Sequence, residues 1–136
     1  MENYLQEGTH AVPFVSLDKD KHLLIFGGES RPEDVRGVFV PILKWMEDYE
    51  SLIHYIYQTW NKVVDLKVEF KMEYFNSSSA KFIFDIMLKL KSLMTSGQVK
   101  LDISWKYDQY DLDMEDAGKE FEEMLEIDFE FMEIVE

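Results

Sequence analysis

Three consecutive serines follow an asparagine at a point where the sequence pattern changes. The segment Asn76-Ser77-Ser78-Ser79 separates residues with strand-like alternation from residues with helical periodicity. The first N–H groups of a helix have no partners within the helix, and the helix dipole places partial positive charge there. A phosphate on one of these serines would therefore be stabilised by the backbone, with Asn76 in the turn and Lys81 one helical turn further along.

The same serines also have a purely structural interpretation. Serine is among the preferred residues at a helix N-cap. In this interpretation, the three hydroxyls have no role beyond capping the helix that follows. Phosphorylation would instead add about −1.5 to −2 charge units at neutral pH and change the surface around the turn. From the residues alone, both interpretations stay open.

Other residue types that perform catalysis or bind metals do not form a functional pattern. The chain has no cysteine, which excludes a thiol nucleophile and a thiolate metal site. The histidines, His10, His22 and His54, lack the spacing of a metal-ligand pair. No Gly-x-Ser-x-Gly elbow surrounds the serines. We therefore expect no enzyme activity, no cofactor and no metal.

One acidic segment resembles a calcium loop in part. Its first, third, fifth and twelfth positions are acidic, but Asp116 stands where the loop requires glycine. A predicted helix also runs through the segment, so we interpret the match as a consequence of the acidic composition. A calcium binder or a weak acidic-site enzyme is the alternative. The four matching residues are Asp111, Asp113, Glu115 and Glu122.

Length and composition indicate one folded domain spanning residues 1–136, of which 46% are hydrophobic and 15% aromatic. The N-terminus lacks the positive start and apolar stretch of a signal peptide. No apolar run approaches the roughly 18 residues of a membrane helix. We expect a cytoplasmic protein that does not associate with membranes.

The net charge of −14 is concentrated near the C-terminus. Residues 108–136 contain 13 acidic residues and one basic residue, whereas residues 1–107 contain 15 acidic and 13 basic residues. Such a polyanion is repelled by nucleic acid and by anionic lipid. The acidic segment is interpreted as a solvated helix face, with a docking surface for a basic partner as the sharper alternative.

The sequence pattern predicts a hairpin followed by a helix in the N-terminal part of the chain. Segments 12–17 and 22–26 are short apolar runs around a polar turn, and Gly27-Gly28 is expected to end the second strand. Ser30-Arg31-Pro32-Glu33 has the pattern of a capping box, which predicts a helix start. Pro41 predicts a kink or a boundary in this helix. Its apolar face comprises Val35, Phe39, Ile42, Met46, Tyr49, Ile53, Ile56 and Trp60.

A βαβ unit follows. Segments 66–74 and 99–107 alternate apolar and polar residues, and the segment between them has helical periodicity that Gly97 ends. Strand, helix and strand at this spacing predict two parallel strands joined by a right-handed crossover. All three tryptophans, Trp45, Trp60 and Trp105, lie on apolar patterns and are expected in the core.

The charged face of these strands must meet water, because a sheet covered on both sides would be apolar on both faces. We therefore predict an α/β (α+β) fold in two layers, with a mixed sheet and helices mainly on one face. A last helix is expected from about Leu112 to Leu125, with Phe121, Met124 and Leu125 buried, and a final strand at 129–132.

Several segments in this order resemble the SiaC family of bacterial regulatory phosphoproteins. They cover essentially the whole chain: Gly27-Gly28-Glu29-Ser30-Arg31-Pro32-Glu33-Asp34, Phe39-Val40-Pro41-Ile42-Leu43-Lys44-Trp45, Glu73-Tyr74-Phe75-Asn76-Ser77-Ser78-Ser79-Ala80-Lys81, Asp111-Leu112-Asp113-Met114-Glu115-Asp116-Ala117-Gly118 and Phe129-Glu130-Phe131. The resemblance implies a STAS-like fold, similar to that of anti-sigma-factor antagonists, with a phosphorylatable residue at a helix start.

The resemblance also implies partners. They are a serine/threonine kinase (SiaB-like), a PPM-type phosphatase (SiaA-like) and an output protein such as a diguanylate cyclase (SiaD-like), which the unmodified form binds in control of cyclic di-GMP and biofilm formation. The family usually has a threonine directly after the asparagine, and Ser77 occupies that place here. Ser78 and Ser79 are the alternates. Arg31 departs from the family, which often has an aromatic residue there. An unregulated adaptor is the alternative function.

Overall fold

A computed structural model describes residues 1–135 and arranges them as one sheet and three helices. In chain order the elements are β1 (Tyr4–Gln6), β2 (Phe14–Asp18), β3 (Leu23–Ser30), α1 (Val35–Trp60), β4 (Val64–Phe75), α2 (Ser77–Thr95), β5 (Val99–Asp108), α3 (Leu112–Leu125) and β6 (Glu130–Ile134). Among these residues, no helix combines the length and apolarity needed to span a membrane.

The six strands lie in the sheet in the order in which they occur in the chain. Strand β2 is antiparallel to both β1 and β3, whereas β3, β4, β5 and β6 are parallel to one another. Each parallel step is made through one helix, and right-handed crossovers in a constant direction place all three helices on the same face. The predicted two-layer fold with a mixed sheet is confirmed.

The core lies between the helices and the apolar face of the sheet. Trp105 of β5 is fully buried at its centre, and its indole N–H donates to the carbonyl oxygen of Met114 at 2.9 Å. Gly118 lets α3 approach this ring, because a Cβ at that position would lie 2.5 Å from the indole. The opposite face of the sheet is charged, as predicted, and Lys106 and Glu69 form an ion pair there at 3.5 Å.

The predicted capping box at Ser30 is wrong. Ser30 is the last residue of β3 and is fully buried, and α1 begins five residues later. Asp34 is the N-cap, and its carboxylate accepts a hydrogen bond from the Gly37 N–H at 3.0 Å. Pro41 lies inside α1 without dividing it, so the helix is continuous through the predicted boundary.

The prediction that Gly27-Gly28 ends the second strand is also wrong, because β3 continues to Ser30. The strand instead changes register here: Gly28 pairs with Met72, and the next residue pairs with Tyr74. Glu73 is thus an extra residue in β4, which is the signature of a β-bulge. Gly28 accommodates the irregularity with a φ of +76°, a conformation that side chains other than glycine disfavour.

The bulge reverses the alternation at the end of β4. Tyr74, expected on the apolar face, is 43% exposed, while Phe75 turns toward the helices and contacts Trp105 and Phe121. Two further burial predictions are wrong. Trp60 is 70% exposed because it is the last residue of α1, and Met124 is 57% exposed because it borders a groove between two helices.

Candidate functional site

The serine turn is held by an asparagine. Asn76 is the N-cap of α2, and its side-chain oxygen accepts a hydrogen bond from the Ser79 N–H at 2.9 Å. The backbone N–H of Asn76 donates to the carbonyl oxygen of Ser30 at 3.1 Å, which ties the turn to the end of β3. The three serines are the first three residues of α2. The interpretation that they cap the helix is therefore wrong, because Asn76 does so.

Burial separates the three hydroxyls. Ser79 is fully buried, and its hydroxyl donates to the Ser30 carbonyl at 3.2 Å and lies 2.8 Å from the Ser30 hydroxyl. A phosphate would not fit there without breaking these contacts. Ser77 and Ser78 are exposed, so both hydroxyls are accessible to another protein.

The two exposed serines face different sides of α2. With 3.6 residues per turn, Ser77 lies on one line with Lys81, Phe84 and Leu88. Ser78 lies instead on the side of Phe82, which stacks on Phe39 of α1. A modification of one serine would therefore act on a different surface from a modification of the other.

The Ser77 side of α2 borders an open groove that the sequence pattern did not predict. The groove lies between α2 and α3 and has a volume of about 330 Å³. Its floor contains Phe75, Phe84 and Phe121, with Phe121 centred 6.0 Å from Phe75 and 6.4 Å from Phe84. The full lining is Phe75, Ala80, Lys81, Phe84, Ala117, Glu120, Phe121 and Met124. In the structure, the groove is marked by the exposure of Met124, an apolar residue at a predicted core position.

Cations near the turn already have partners. The Lys81 ammonium lies 3.2 Å from a carboxylate oxygen of Asp85 and 4.7 Å from the centre of the Phe82 ring. Arg31 lies 4.5 Å above the ring of Tyr74, which the bulge turns outward. Because the side chain of Lys81 is 70% exposed, it can exchange Asp85 for another anion at small cost.

Three of the four residues that resemble a calcium loop make structural hydrogen bonds. Asp111 caps α3 by accepting from the Met114 N–H at 3.1 Å. Glu115 accepts from the Tyr107 hydroxyl at 2.9 Å, which raises the pKa of Tyr107. Glu122 accepts at 2.8 Å from the N–H of Phe129, the residue just before β6. Within residues 1–135, no group of three or more acidic or histidine side chains could hold a metal.

Comparison with known proteins decides the family. The model of the SiaC family of regulatory phosphoproteins matches residues 6–134, which is nearly the whole chain. The chain belongs to the SiaC family. The identification from the motifs around Gly27 and Asn76 is thereby confirmed.

Individual relatives of this SiaC-family chain are distant in sequence and close in structure. An uncharacterized protein of Pseudomonas aeruginosa is 24% identical over 116 residues, covering 85% of this chain and 84% of the relative. The solved SiaC of Pseudomonas aeruginosa has a TM-score of 0.77 at 23% identity, with 97% of each chain covered. A chain in the crystal structure of diguanylate cyclase SiaD with its activator SiaC, from the same organism, has a TM-score of 0.82 at 22% identity, with 96% of this chain and 99% of that chain covered.

Proposed function

We propose that this chain is a non-enzymatic signalling protein whose binding to an output protein is switched by phosphorylation of Ser77. A serine/threonine kinase transfers the terminal phosphoryl group of ATP to the Ser77 oxygen, and the hydroxyl proton leaves. A PPM-type phosphatase transfers the group to water and restores the hydroxyl. The whole chain acts as one cytoplasmic domain in this scheme.

The observation that carries the proposal is the position of the Ser77 hydroxyl. It is exposed, it belongs to the first turn of α2, and it takes no part in the cap that Asn76 forms with the Ser79 N–H. The N–H groups of the first turn and the helix dipole stabilise an anion there. Ser78 is also exposed but lies on the Phe82 side of α2, and Ser79 is buried. Ser77 is therefore the exposed serine on the same side of α2 as the groove residues Lys81 and Phe84.

The effect of the phosphate follows from its neighbours. Lys81 lies four residues after Ser77 on the same side of α2, and it is paired with Asp85 at 3.2 Å in the unmodified chain. A dianion at Ser77 would attract this ammonium toward the entrance of the groove. An apolar partner surface would then have to displace water from two charged groups, which opposes binding.

The proposed output protein is a diguanylate cyclase. In the solved complex from Pseudomonas aeruginosa, SiaC is the activator of the diguanylate cyclase SiaD. Family membership supports a partner of this class for the present chain, and with it a role in cyclic di-GMP signalling and biofilm formation. The unmodified form is the one expected to bind.

Binding of the cyclase by serine variants tests the proposal. We expect Ser77→Ala to bind whether or not the kinase and ATP are present, and Ser77→Asp to bind more weakly than the wild type. Ser78→Ala is the matched control, because it removes an exposed hydroxyl from the same turn, and it should remain sensitive to the kinase. If Ser77→Ala and Ser77→Asp both behave as the wild type does, the chain is an unregulated adaptor.

A further inference from the structure

We propose that β6, the strand at one edge of the sheet, pairs with an extended basic segment of another protein. The segment would add a seventh strand beside β6 and place lysines or arginines against the acidic residues of this edge. The inference does not depend on the switch at Ser77, because the surface lies on β6 and not on α2. It depends on the backbone of β6, on the charges around it and on a pocket at its end.

The outer side of β6 presents backbone groups that another strand could bind. In residues 1–135, β6 pairs with β5 alone. The Ile134 carbonyl faces β5, because it accepts a hydrogen bond from the Gln109 N–H at 2.9 Å. Since backbone groups alternate in direction along a strand, the N–H and C=O groups of Phe131 and Glu133 point away from the sheet. An added strand would exchange their bonds to water for hydrogen bonds of a ladder.

The two edges of the sheet differ in how well they suit an added strand. At the opposite edge, β1 has three residues, and the Gln6 side chain donates to the Pro13 carbonyl at 2.7 Å. Strand β6 has five residues, contains neither proline nor lysine, and pairs with β5 in a constant register. Short strands, proline, lysine and bulges are common protections against pairing at an edge. The protection that β6 has is its acidic charge, which does not repel a basic strand.

The charge around β6 selects the partner. Residues 126–135 contain no basic residue and four exposed acidic residues, which are Glu126, Asp128, Glu130 and Glu133. Lys106 lies opposite Met132 in the register, but it forms its ion pair with Glu69, toward the centre of the sheet. A second copy of the chain at this edge would bring two acidic sets together, which disfavours pairing, whereas opposite charges on neighbouring strands stabilise it. The occupant is therefore a basic strand of another protein.

The edge ends beside a pocket that suits a basic side chain. The pocket has a volume of about 290 Å³ and is lined by Asp108, Gln109, Tyr110 and Ile134. Tyr110 is 85% exposed and has a φ of +72°, a conformation that is uncommon outside glycine and concentrated at functional sites. The Asp108 carboxylate offers an ion pair to a lysine or arginine of the added strand, and the Tyr110 ring offers a cation–π contact.

Hydrogen exchange with a synthetic peptide tests where a basic strand binds. The probe is the capped peptide Thr-Lys-Val-Arg-Val-Lys-Thr, and its control has glutamate in place of the three basic residues. NMR-detected exchange of the whole chain should slow by at least about tenfold at the Phe131 and Glu133 N–H groups with the probe, and not with the control. The inference is overturned if the probe leaves exchange at β6 unchanged up to about 1 mM, or if the control peptide acts equally.

Methylation of the peptide backbone separates strand pairing from simple charge attraction. One probe carries N-methyl groups on both valines, and the other carries them on two of the basic residues. Because N–H groups alternate in direction, one of these peptides should bind at least about tenfold more weakly than the other. Equal affinities of the two methylated peptides would show that no ladder forms and would overturn the inference.

Variants of the chain test the same contacts from the other side. Glu133→Pro removes an outward N–H at an edge, where proline is tolerated, and should bind the probe about tenfold more weakly than Glu133→Gln, which removes the charge alone. Tyr110→Asn should weaken binding by about threefold to tenfold, whereas Tyr55→Asn, at a tyrosine of α1 that is 59% exposed, should not. Equal affinities within each pair would contradict the inference. Because all measurements use the unphosphorylated chain, this inference and the switch at Ser77 can fail separately.

Discussion

The hydroxyl oxygens of Ser30 and Ser79 lie 2.8 Å apart in the fully buried space between the end of β3 and the start of α2, although 49 positions separate them in the chain. The Ser30 carbonyl also accepts from the Ser79 hydroxyl and from the Asn76 N–H. These contacts fix the first turn of α2 against the sheet. The exposed hydroxyls of Ser77 and Ser78 take no part in these contacts.

Removal of one hydroxyl of this pair should destabilise the protein. Ser79→Ala leaves the buried Ser30 hydroxyl without its partner, and we expect a loss of about 1–3 kcal/mol in the free energy of unfolding in urea. Ser30→Ala combined with Ser79→Ala should cost less than the sum of the single changes, because no hydroxyl is then left unpaired. Ser77→Ala should change stability by less than about 0.5 kcal/mol. Equal stability of Ser79→Ala and Ser77→Ala would contradict the assignment.

The cap of α2 should depend on the asparagine and on none of the serines. Asn76→Ala removes the acceptor of the Ser79 N–H and should lower the free energy of unfolding by about 1 kcal/mol. Asn76→Asp keeps an acceptor and should retain most of the stability. Thermal unfolding followed by circular dichroism measures both changes. A greater loss from Ser77→Ala than from Asn76→Ala would show that a serine caps the helix after all.

The close approach of α3 to β5 should not tolerate a methyl group. In Gly118→Ala, the new Cβ would meet the Trp105 ring at 2.5 Å, so α3 or the indole must move. Such overpacking costs about 1–3 kcal/mol. The fluorescence of the variant should also differ, because Trp105 is fully buried in the native structure. Asp116→Ala, on the exposed side of α3, is the control and should change neither property.

Stability should fall on mild acidification because of His22. Its Nδ1 lies 2.6 Å from the Tyr49 hydroxyl, and burial, followed by the nearby charge of Lys62, lowers the pKa of His22. Between this lowered pKa and about 6.5, the unfolded chain binds more protons than the folded one, so stability rises with pH across that window. Above pH about 6.5, His22 is neutral in the unfolded chain as well, so its protonation no longer lowers the stability.

Urea unfolding between pH 5 and pH 7 measures this dependence. His22→Gln should lose part of it, because glutamine does not titrate, and His10→Gln, the same change at an exposed position, is the matched control. An unchanged pH dependence in His22→Gln would contradict the assignment.

Much of the fold follows from patterns that are local in the sequence. The alternation in β4 and β5 and the helical periodicity between them predict the parallel pair and its crossover, and α3 has the predicted bounds from Leu112 to Leu125. The charged face of β4 predicts that one face of the sheet meets water. These features depend on which residues recur at a period of two or 3.6, and that is visible in the sequence alone.

The missed features depend on contacts between distant segments. Ser30 matches a capping box locally, but its hydroxyl forms a hydrogen bond with the Ser79 hydroxyl at the start of α2. The bulge opposite Gly28 exchanges the sides of Tyr74 and Phe75, and no local pattern records the register of a neighbouring strand. Met124 has the spacing of a core residue and is exposed because the third side of its groove is open. The three serines look equivalent until α2 is placed against β3.

Phosphosite-resolved mass spectrometry on the protein purified from its native cells tests the central claim most directly. The chain is recovered under several growth conditions, with phosphatase inhibitors present, and fragment ions assign the phosphate within the run Ser77-Ser78-Ser79. We predict that the phosphate lies on Ser77 and that its occupancy changes between conditions. A phosphate confined to Ser78 or Ser79, or the absence of phosphate under every condition, would contradict the account.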